Sequence, residues 1–235
     1  MKVLIIIPAY NESESLERVI DNLIENYPEY DYVIINDGST DATSKICHRN
    51  GYNVVDLPIN LGIGGAVQTG YKYALAGGYD VAVQMDGDGQ HDPAFLKDML
   101  SIIARGEADA VIGSRFVNKE GFQSSATRRA GINFLSGLGK MLTGVRLRDI
   151  TSGYRMVNKR LIHIYATDYP SDYPEPEAMV IAAIHGCKIK ECPVIMNERA
   201  GGVSSITFKK SIYYMIKVTL AMLVRRLSLG FRRSK

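Results

Sequence analysis

The chain has 235 residues, 46% of them hydrophobic, and its 28 Lys and Arg against 25 Asp and Glu leave a formal charge of +3. That length fits one α/β domain, or one domain plus a C-terminal extension, and can bury a sizeable core without disulfide or metal staples, which argues against a disulfide framework. Three cysteines, Cys47, Cys187 and Cys192, are an odd number and point to a reducing compartment.

Val3 to Ile7 is a short, continuous run of β-branched and aliphatic residues ended by Pro8, the pattern of a strand buried on both faces. It is too short for a secretory signal, and no small-residue cleavage site follows it, so the chain is expected in the cytoplasm. Asn11 with Glu14 reads as a helix start, and Leu16, Val19, Ile20, Leu23 and Ile24 form one apolar stripe after it. The strand, turn and helix unit then recurs. Tyr32 to Ile35 leads into Asn36-Asp37-Gly38-Ser39-Thr40-Asp41, Asn53 to Leu57 into Asn60-Leu61-Gly62, and Val81 to Met85 into an acidic turn. Asp92 and Pro93 suit the cap and first position of the next helix. Such alternation predicts a Rossmann-like α/β fold, a mostly parallel sheet with helices on both faces.

Ligands of such sheets bind at the carboxyl ends of the strands, so Ala9 to Glu12, Asp37 and Asp86 to Asp88 are expected on one edge. The stretch Gln84-Met85-Asp86-Gly87-Asp88-Gly89-Gln90-His91-Asp92-Pro93 sets two carboxylates two residues apart among glycines. Carboxylate oxygens are hard ligands for Mg²⁺ or Mn²⁺, ions that keep positions for water and substrate phosphate. Within a strand, the two acids would share one face. An ordinary Asp-Gly surface turn is the plain alternative. Gly62-Ile63-Gly64-Gly65 is not a dinucleotide fingerprint, because Val67 stands at the third glycine position and the motif follows the third strand. It lacks a P-loop lysine, and its glycines serve close helix packing as readily as substrate contact.

The second half carries Arg115, Arg128, Arg129, Arg146, Arg148, Arg155 and Arg199. Asn118 to Ser125 has no periodicity and is expected to be a loop that closes over an active site. Asp149-Ile150-Thr151-Ser152-Gly153-Tyr154-Arg155 adds a further acid, readable also as a capped turn. From Ala200 to Lys235 there are eight Lys or Arg and no acid, and Ile212, Met215, Ile216, Thr219, Leu220, Leu223, Val224 and Leu227 fall on one helical stripe. The stripe is too short to span a bilayer, so it lies on a membrane or packs against protein. Without an aromatic stacking surface, no nucleic-acid partner is expected.

In order and combination, Ile7 to Glu12, Asn36 to Asp41, Asn60 to Ala66, Asp86 to Pro93, Gly113-Ser114-Arg115-Phe116 and Asp149 to Arg155 resemble the inverting family 2 glycosyltransferases of GT-A fold. Within them, the chain is similar to the dolichol-phosphate mannose synthase and polyprenyl-phosphate glycosyltransferase branch over about residues 3 to 207. The resemblance implies that Pro8, Ala9, Tyr10, Glu12 and Asp37 hold the nucleobase and ribose. It also implies that Asp86, Asp88 and Gln90 hold a Mg²⁺ or Mn²⁺ ion and the donor diphosphate, with Arg199 closing over it. Arg115, Arg128 and Arg129 become candidates for the acceptor phosphate, and Asp88, Asp149 and Arg115 for catalysis. Asp149 would position the acceptor or, for a sugar hydroxyl, act as base. Tyr173-Pro174-Glu175-Pro176-Glu177-Ala178 departs from the mannose-synthase pattern, which turns the expected donor from GDP-mannose toward a UDP-hexose.

The expectation is therefore a catalytic domain over residues 1–207 and a basic amphipathic helix over 208–235 that meets the membrane surface or a small integral membrane protein. The enzyme would move a hexose from a nucleotide diphosphate sugar to a polyprenyl phosphate at the inner face of the cell membrane. Transfer to a saccharide or lipid-linked saccharide hydroxyl, and a nucleotide-sugar-binding subunit of a membrane complex, are the alternatives.

Overall fold

Hydrophobic continuity marks the strands that sit inside the sheet. The computed structural model describes residues 1–118, 126–197 and 208–232. Strand β1 (Val3–Ala9) is buried along its whole length and pairs in parallel with β2 (Asp31–Asn36) on one side and β4 (Val81–Gln84) on the other. With β3 (Val54–Asp56), β5 (Ala110–Ser114), β6 (Arg155–Asn158) and β7 (Ile189–Pro193), the sheet runs β3-β2-β1-β4-β6-β5-β7. Strand β6 lies antiparallel between β4 and β5, and the other pairings are parallel. The mostly parallel sheet is as expected. The reversed β6 carries no apolar run of its own, and Arg-Met-Val-Asn gives no periodic signal.

Helices α1 (Leu16–Asn26), α2 (Thr43–Arg49), α3 (Gly62–Ala76), α4 (Leu96–Ala104), α5 (Ala126–Thr143), α6 (Lys159–Thr167), α7 (Pro174–Ile184) and α8 (Phe208–Arg232) cover the sheet. Alternate residues of β1 feed two cores. Leu4 and Ile6 belong to the one shared with α3, α6 and α7, and Ile5 and Ile7 to the one shared with α1 and α4.

Two local readings change. β1 continues through Pro8, which sits beyond the pairing with β4 that ends at Ile6, so its missing N–H costs no bond there. Asn11 does not cap α1, whose first turn follows Ser15. It takes a left-handed turn (φ 56°) that Asn tolerates, and its side chain is used elsewhere.

The glycine run is in part a packing device. A Cβ on Gly64 would lie 2.0 Å from the Pro170 carbonyl oxygen and 2.3 Å from that of Ser171, and the Gly64 N–H donates to Ser171 at 3.1 Å. Backbone cannot retreat as a flexible side chain can. Gly64→Ala is expected to lower stability by about 1–3 kcal/mol, as overpacking does, measured as a shifted urea midpoint with unchanged slope.

Helix α8 packs on α7 and α5 through Val218 and Met222. The anticipated stripe is split: its Met215 packs against the core beside Val218 and Met222, whereas Ile216, Leu220, Val224 and Leu227 are all more than half exposed. The helix is apolar on two sides, which periodicity alone merged into one. The expected boundary at residue 207 falls outside the described residues.

Candidate active site

The carboxyl ends of β1, β2 and β4 lie side by side, and the loops that leave them are cross-linked. Asp37 N–H donates to the Ala9 carbonyl at 2.9 Å, which joins the first two loops. Asn11 N–H donates to Ser39 Oγ at 3.0 Å, while Asn11 Oδ1 accepts from Thr40 N–H at 2.8 Å and Asp41 N–H at 3.3 Å. Buried Asp37 accepts from Leu61 N–H at 2.7 Å, bringing the glycine-rich turn to the same edge. Ala9 is buried beside them, whereas Tyr10 presents a half-exposed ring. The Ser15 hydroxyl stands 3.0 Å from Glu12 Oε2 and 2.9 Å from the Gly87 carbonyl oxygen, so the start of α1 is tied to the acidic turn.

Strand β4 ends at Gln84, and Asp86 and Asp88 lie in the turn beyond it rather than on one strand face. Asp88 is 2% exposed and its Oδ1 accepts from Gln90 N–H at 2.9 Å. Asp86 keeps about a third of its side chain exposed. Its backbone N–H donates to His91 Nδ1 at 3.0 Å, which in a neutral ring leaves the proton on Nε2, 3.8 Å from Asp86 Oδ2. The His91 ring is stacked on Tyr154, with centroids 4.9 Å apart and 16° between planes, and the Tyr154 hydroxyl donates to the Asp92 carbonyl at 2.9 Å. A Cβ at Gly153 would sit 3.2 Å from Gln84 Nε2 and 3.5 Å from both Asp86 carboxylate oxygens, so the Asp149–Arg155 loop lies against this acid.

This donor set fits a hard divalent cation with open positions. Asp86 and Asp88 offer carboxylate oxygens, and no group of three His, Cys, Asp or Glu suited to a metal occurs among the described residues. Mg²⁺ and Mn²⁺ take one or two protein carboxylates and complete their shell with water and substrate phosphate. Gln90 is part-buried next to them.

Beyond β5, Arg115 is 6% exposed and Asp149 fully buried. Arg115 Nε and Nη2 donate to the two Asp149 oxygens at 2.7 Å each, a bidentate pair. Glu191 Oε1 accepts the N–H groups of Arg148 and Asp149 at 2.8 Å each, fixing the acid from behind. A carboxylate so held is fixed in orientation by Arg115 on one side and the Glu191-bound backbone on the other. Arg129, on α5, lies over the Phe116 ring at 5.2 Å, and Arg115 is 5.2 Å from the same ring, so these two cations share one aromatic plate. Arg128 is exposed beside Arg129. Of the expected closing loop, Asn118 to Ser125, all but Asn118 lies outside the described residues, as does Arg199.

Sequence reasoning passed over two groups. Arg155, 1% exposed, donates to the carbonyls of Ser152, Ile150 and Glu175, stapling the Asp149 loop to the start of α7. Glu175 sits there with its carboxyl pushed up by burial, an effect that Arg155 opposes and Asp86 reinforces. Both residues stood inside recognised motifs. A lone Arg or Glu carries no signal of what it will face.

A family model described as glycosyl transferase family 2 matches residues 4–164. The chain is 33% identical over 216 residues to an undecaprenyl-phosphate mannosyltransferase of Micrococcus luteus, covering 88% of each chain. It is 30% identical to a polyprenol monophosphomannose synthase of Mycolicibacterium smegmatis, over 92% of this chain and 85% of that one. It is 31% identical to a UDP-N-acetylglucosamine–dolichyl-phosphate N-acetylglucosaminyltransferase of Methanococcus voltae, over 82% and 84%. Glucosyl-3-phosphoglycerate synthase of Mycobacterium tuberculosis, solved with Mn²⁺, UDP-glucose and glycerol 3-phosphate, shares the fold at a TM-score of 0.71 and 20% identity, over 95% of this chain and 79% of that one.

Proposed function

The chain belongs to glycosyl transferase family 2 and is a glycosyltransferase, and from that premise we propose that it moves a hexose from a nucleotide diphosphate sugar to a polyprenyl phosphate at a membrane surface. The observation that carries this reading is the convergence of Asp86 and Asp88 with the Ala9–Glu12, Asp37 and Leu61 loops at one sheet edge. Pro8, Ala9, Tyr10, Glu12 and Asp37 take the nucleoside. Asp86 and Asp88, with Gln90, hold Mg²⁺ or Mn²⁺, which supplies positive charge for the departing diphosphate. Arg199 would add a further cation there.

Residues of the chain do the rest. A phosphate monoester has a second pKa of about 6, by analogy with phosphorylated side chains, so the acceptor arrives as an anion and needs no strong base. That agrees with Asp149 being buried against Arg115 rather than open to the cleft. Arg129, Arg128 and the edge of Arg115 supply cations on the acceptor side, where the guanidinium fork suits phosphate oxygens. The relatives named for polyprenol, undecaprenyl and dolichyl phosphates support a lipid acceptor. The Pro-Glu-Pro-Glu start of α7 and a relative named for UDP-N-acetylglucosamine support a UDP-linked donor, against which two relatives named for mannose transfer set a mannosyl donor as the competitor.

Nucleoside diphosphate release with purified protein, Mn²⁺ or Mg²⁺, a panel of UDP- and GDP-sugars and a short polyprenyl phosphate tests the proposal. Release from one donor that requires the lipid phosphate is expected, and release indifferent to it would overturn the acceptor assignment. A saccharide hydroxyl would instead need a base, and Glu175, its carboxyl pushed up by burial and by Asp86, is the candidate for that role. Glu175→Gln separates the readings, because only hydroxyl transfer should lose its rate.

A further inference from the structure

Among the described residues other than glycine, Asn11 and Tyr173 take a positive φ, and a bulky tyrosine tolerates it far less than asparagine (Tyr173 φ 47°, ψ 57°). A left-handed turn at such a residue is costly and persists only where its surroundings hold it. Tyr173 directly precedes α7 and gives that helix no side-chain cap, so capping does not account for its conformation. What holds it comes from α8. The Tyr214 ring meets the Tyr173 ring edge-on, with centroids 4.7 Å apart and 88° between planes, and both rings pack partly buried on the core. Lys217, three residues on, pairs with Asp172 at 2.5 Å, but both side chains are more than a third exposed, and such a pair is worth little. The ring contact is the stronger grip.

The turn that Tyr214 grips is wedged against the donor side. Gly64 N–H donates to the Ser171 carbonyl at 3.1 Å, and the space beside Gly64 is closed by the Pro170 and Ser171 carbonyls, so backbone meets backbone with no side chain to absorb a shift. Gly64 lies in the first turn of α3, three residues after Leu61, whose N–H donates to buried Asp37 at 2.7 Å. On the other side, Arg155 Nη1 donates to the Glu175 carbonyl, two residues past Tyr173. The strained residue thus sits between two points fixed to the catalytic domain, and α8 fixes it from outside. With the Tyr214 ring gone, Tyr173 relaxes toward the right-handed region and Ser171 shifts. Gly64 and Leu61 must follow.

We propose that Tyr214 is a positioning residue of the donor pocket: its ring holds Tyr173 left-handed, and through Ser171 and Gly64 it sets the Leu61 N–H that orients Asp37. Helix α8, which carries none of the residues assigned to the donor, thereby governs nucleotide affinity. The effect on affinity rests on the proposed nucleotide donor, whereas the link from Tyr214 to Gly64 does not.

Two measurements on the full chain test this, hydrogen exchange of the Gly64 amide and calorimetric binding of UDP and of GDP, each with Mn²⁺. Tyr214→Leu should speed Gly64 exchange and weaken binding of whichever nucleotide the parent takes, each by about fivefold or more, the lower range of a coupling between sites. In turnover the donor KM should rise with kcat nearly unchanged, the mark of lost uniform binding. Tyr214→Phe keeps the ring and should match the parent. Tyr173→Gly should also bind within about twofold of the parent, because glycine takes φ 47° without help. Tyr173→Ala, by contrast, should weaken binding as Tyr214→Leu does. Met222→Ala, farther along α8 in the same core, should lower the melting temperature yet spare affinity, which separates positioning from general loosening. A Tyr214→Leu variant that exchanges and binds like the parent overturns the proposal. So does a Tyr214→Phe variant that loses as much as Tyr214→Leu, or a Tyr173→Gly variant as weak as Tyr173→Ala. A parent that binds neither nucleotide counts against the proposed function instead, and Gly64 exchange then decides the coupling alone.

Discussion

Asp88→Asn should lower nucleoside diphosphate release by about 10²–10³-fold, the scale on which one preorganised electrostatic contact to a transition state acts, while the melting temperature hardly moves. The substitution is nearly isosteric, and its Oδ1 can still accept the Gln90 N–H that holds the turn at 2.9 Å. What it removes is a negative charge at a site only 2% exposed, where solvent cannot replace it. A second readout isolates the ion from the chemistry. Calorimetric binding of nucleoside diphosphate should tighten when Mn²⁺ is added and relax with chelator in the parent, and Asp88→Asn should abolish that difference. A variant that turns over normally, or that keeps the Mn²⁺ dependence, would return Asp86-Gly87-Asp88-Gly89 to the status of a surface turn. Asp86 is the more open of the pair, so Asp86→Asn should weaken the Mn²⁺ dependence with equally little effect on stability.

Much of this site is legible without coordinates because its parts are local. Apolar runs of β1, β2 and β4 end in polar turns, and the rule that parallel strands offer their carboxyl ends to ligands brings Ala9, Asp37 and Asp86 together. The residues that make those parts rigid are not local. Ser15 reaches Gly87 across 72 positions, and Arg115 reaches Asp149 across 34. Neither partnership leaves a period or a composition bias. Strand β6 was hidden for a related reason: it is four residues long and reversed, and it is a strand because β4 and β5 leave a place between them. Periodicity on α8 was real but ambiguous, since it reports that apolar residues align and not which side meets the protein. Val218 and Met222, outside the expected stripe, pack beside its Met215, while Ile216, Leu220, Val224 and Leu227 stay exposed. His91 was visible in the acidic motif, yet its role depends on Tyr154, from another strand's approach, lying parallel beneath it.

The Arg115–Asp149 pair makes the sharpest distinction between a chemical and a structural part. Both side chains are almost fully buried and bonded at two points, so each alone would be an uncompensated charge in the interior. Arg115→Met and Asp149→Leu should therefore each cost about 3–5 kcal/mol, which for a chain of this size lowers the melting temperature by about 6–20 °C. The double variant, having no charge to strand, should recover much of that loss, giving a coupling of about 0.5–3 kcal/mol or more in a double-mutant cycle. Replacing the ion pair with apolar groups of similar volume is the case in which burial costs least. Turnover sorts the roles of the two residues. Asp149→Asn keeps shape and one acceptor oxygen for Arg115, so it should lose stability while kcat on a polyprenyl phosphate falls little, and the rate should not acquire a new pH dependence. A general base would behave in the opposite way, with full stability and a lost basic limb. If Asp149→Asn melts like the parent yet is inactive, Asp149 touches the acceptor and the buried pair opens during catalysis. If the melt falls and the rate survives, its work is to hold the Gly113–Phe116 turn, and with it the aromatic plate that Arg129 shares, in place for the incoming phosphate.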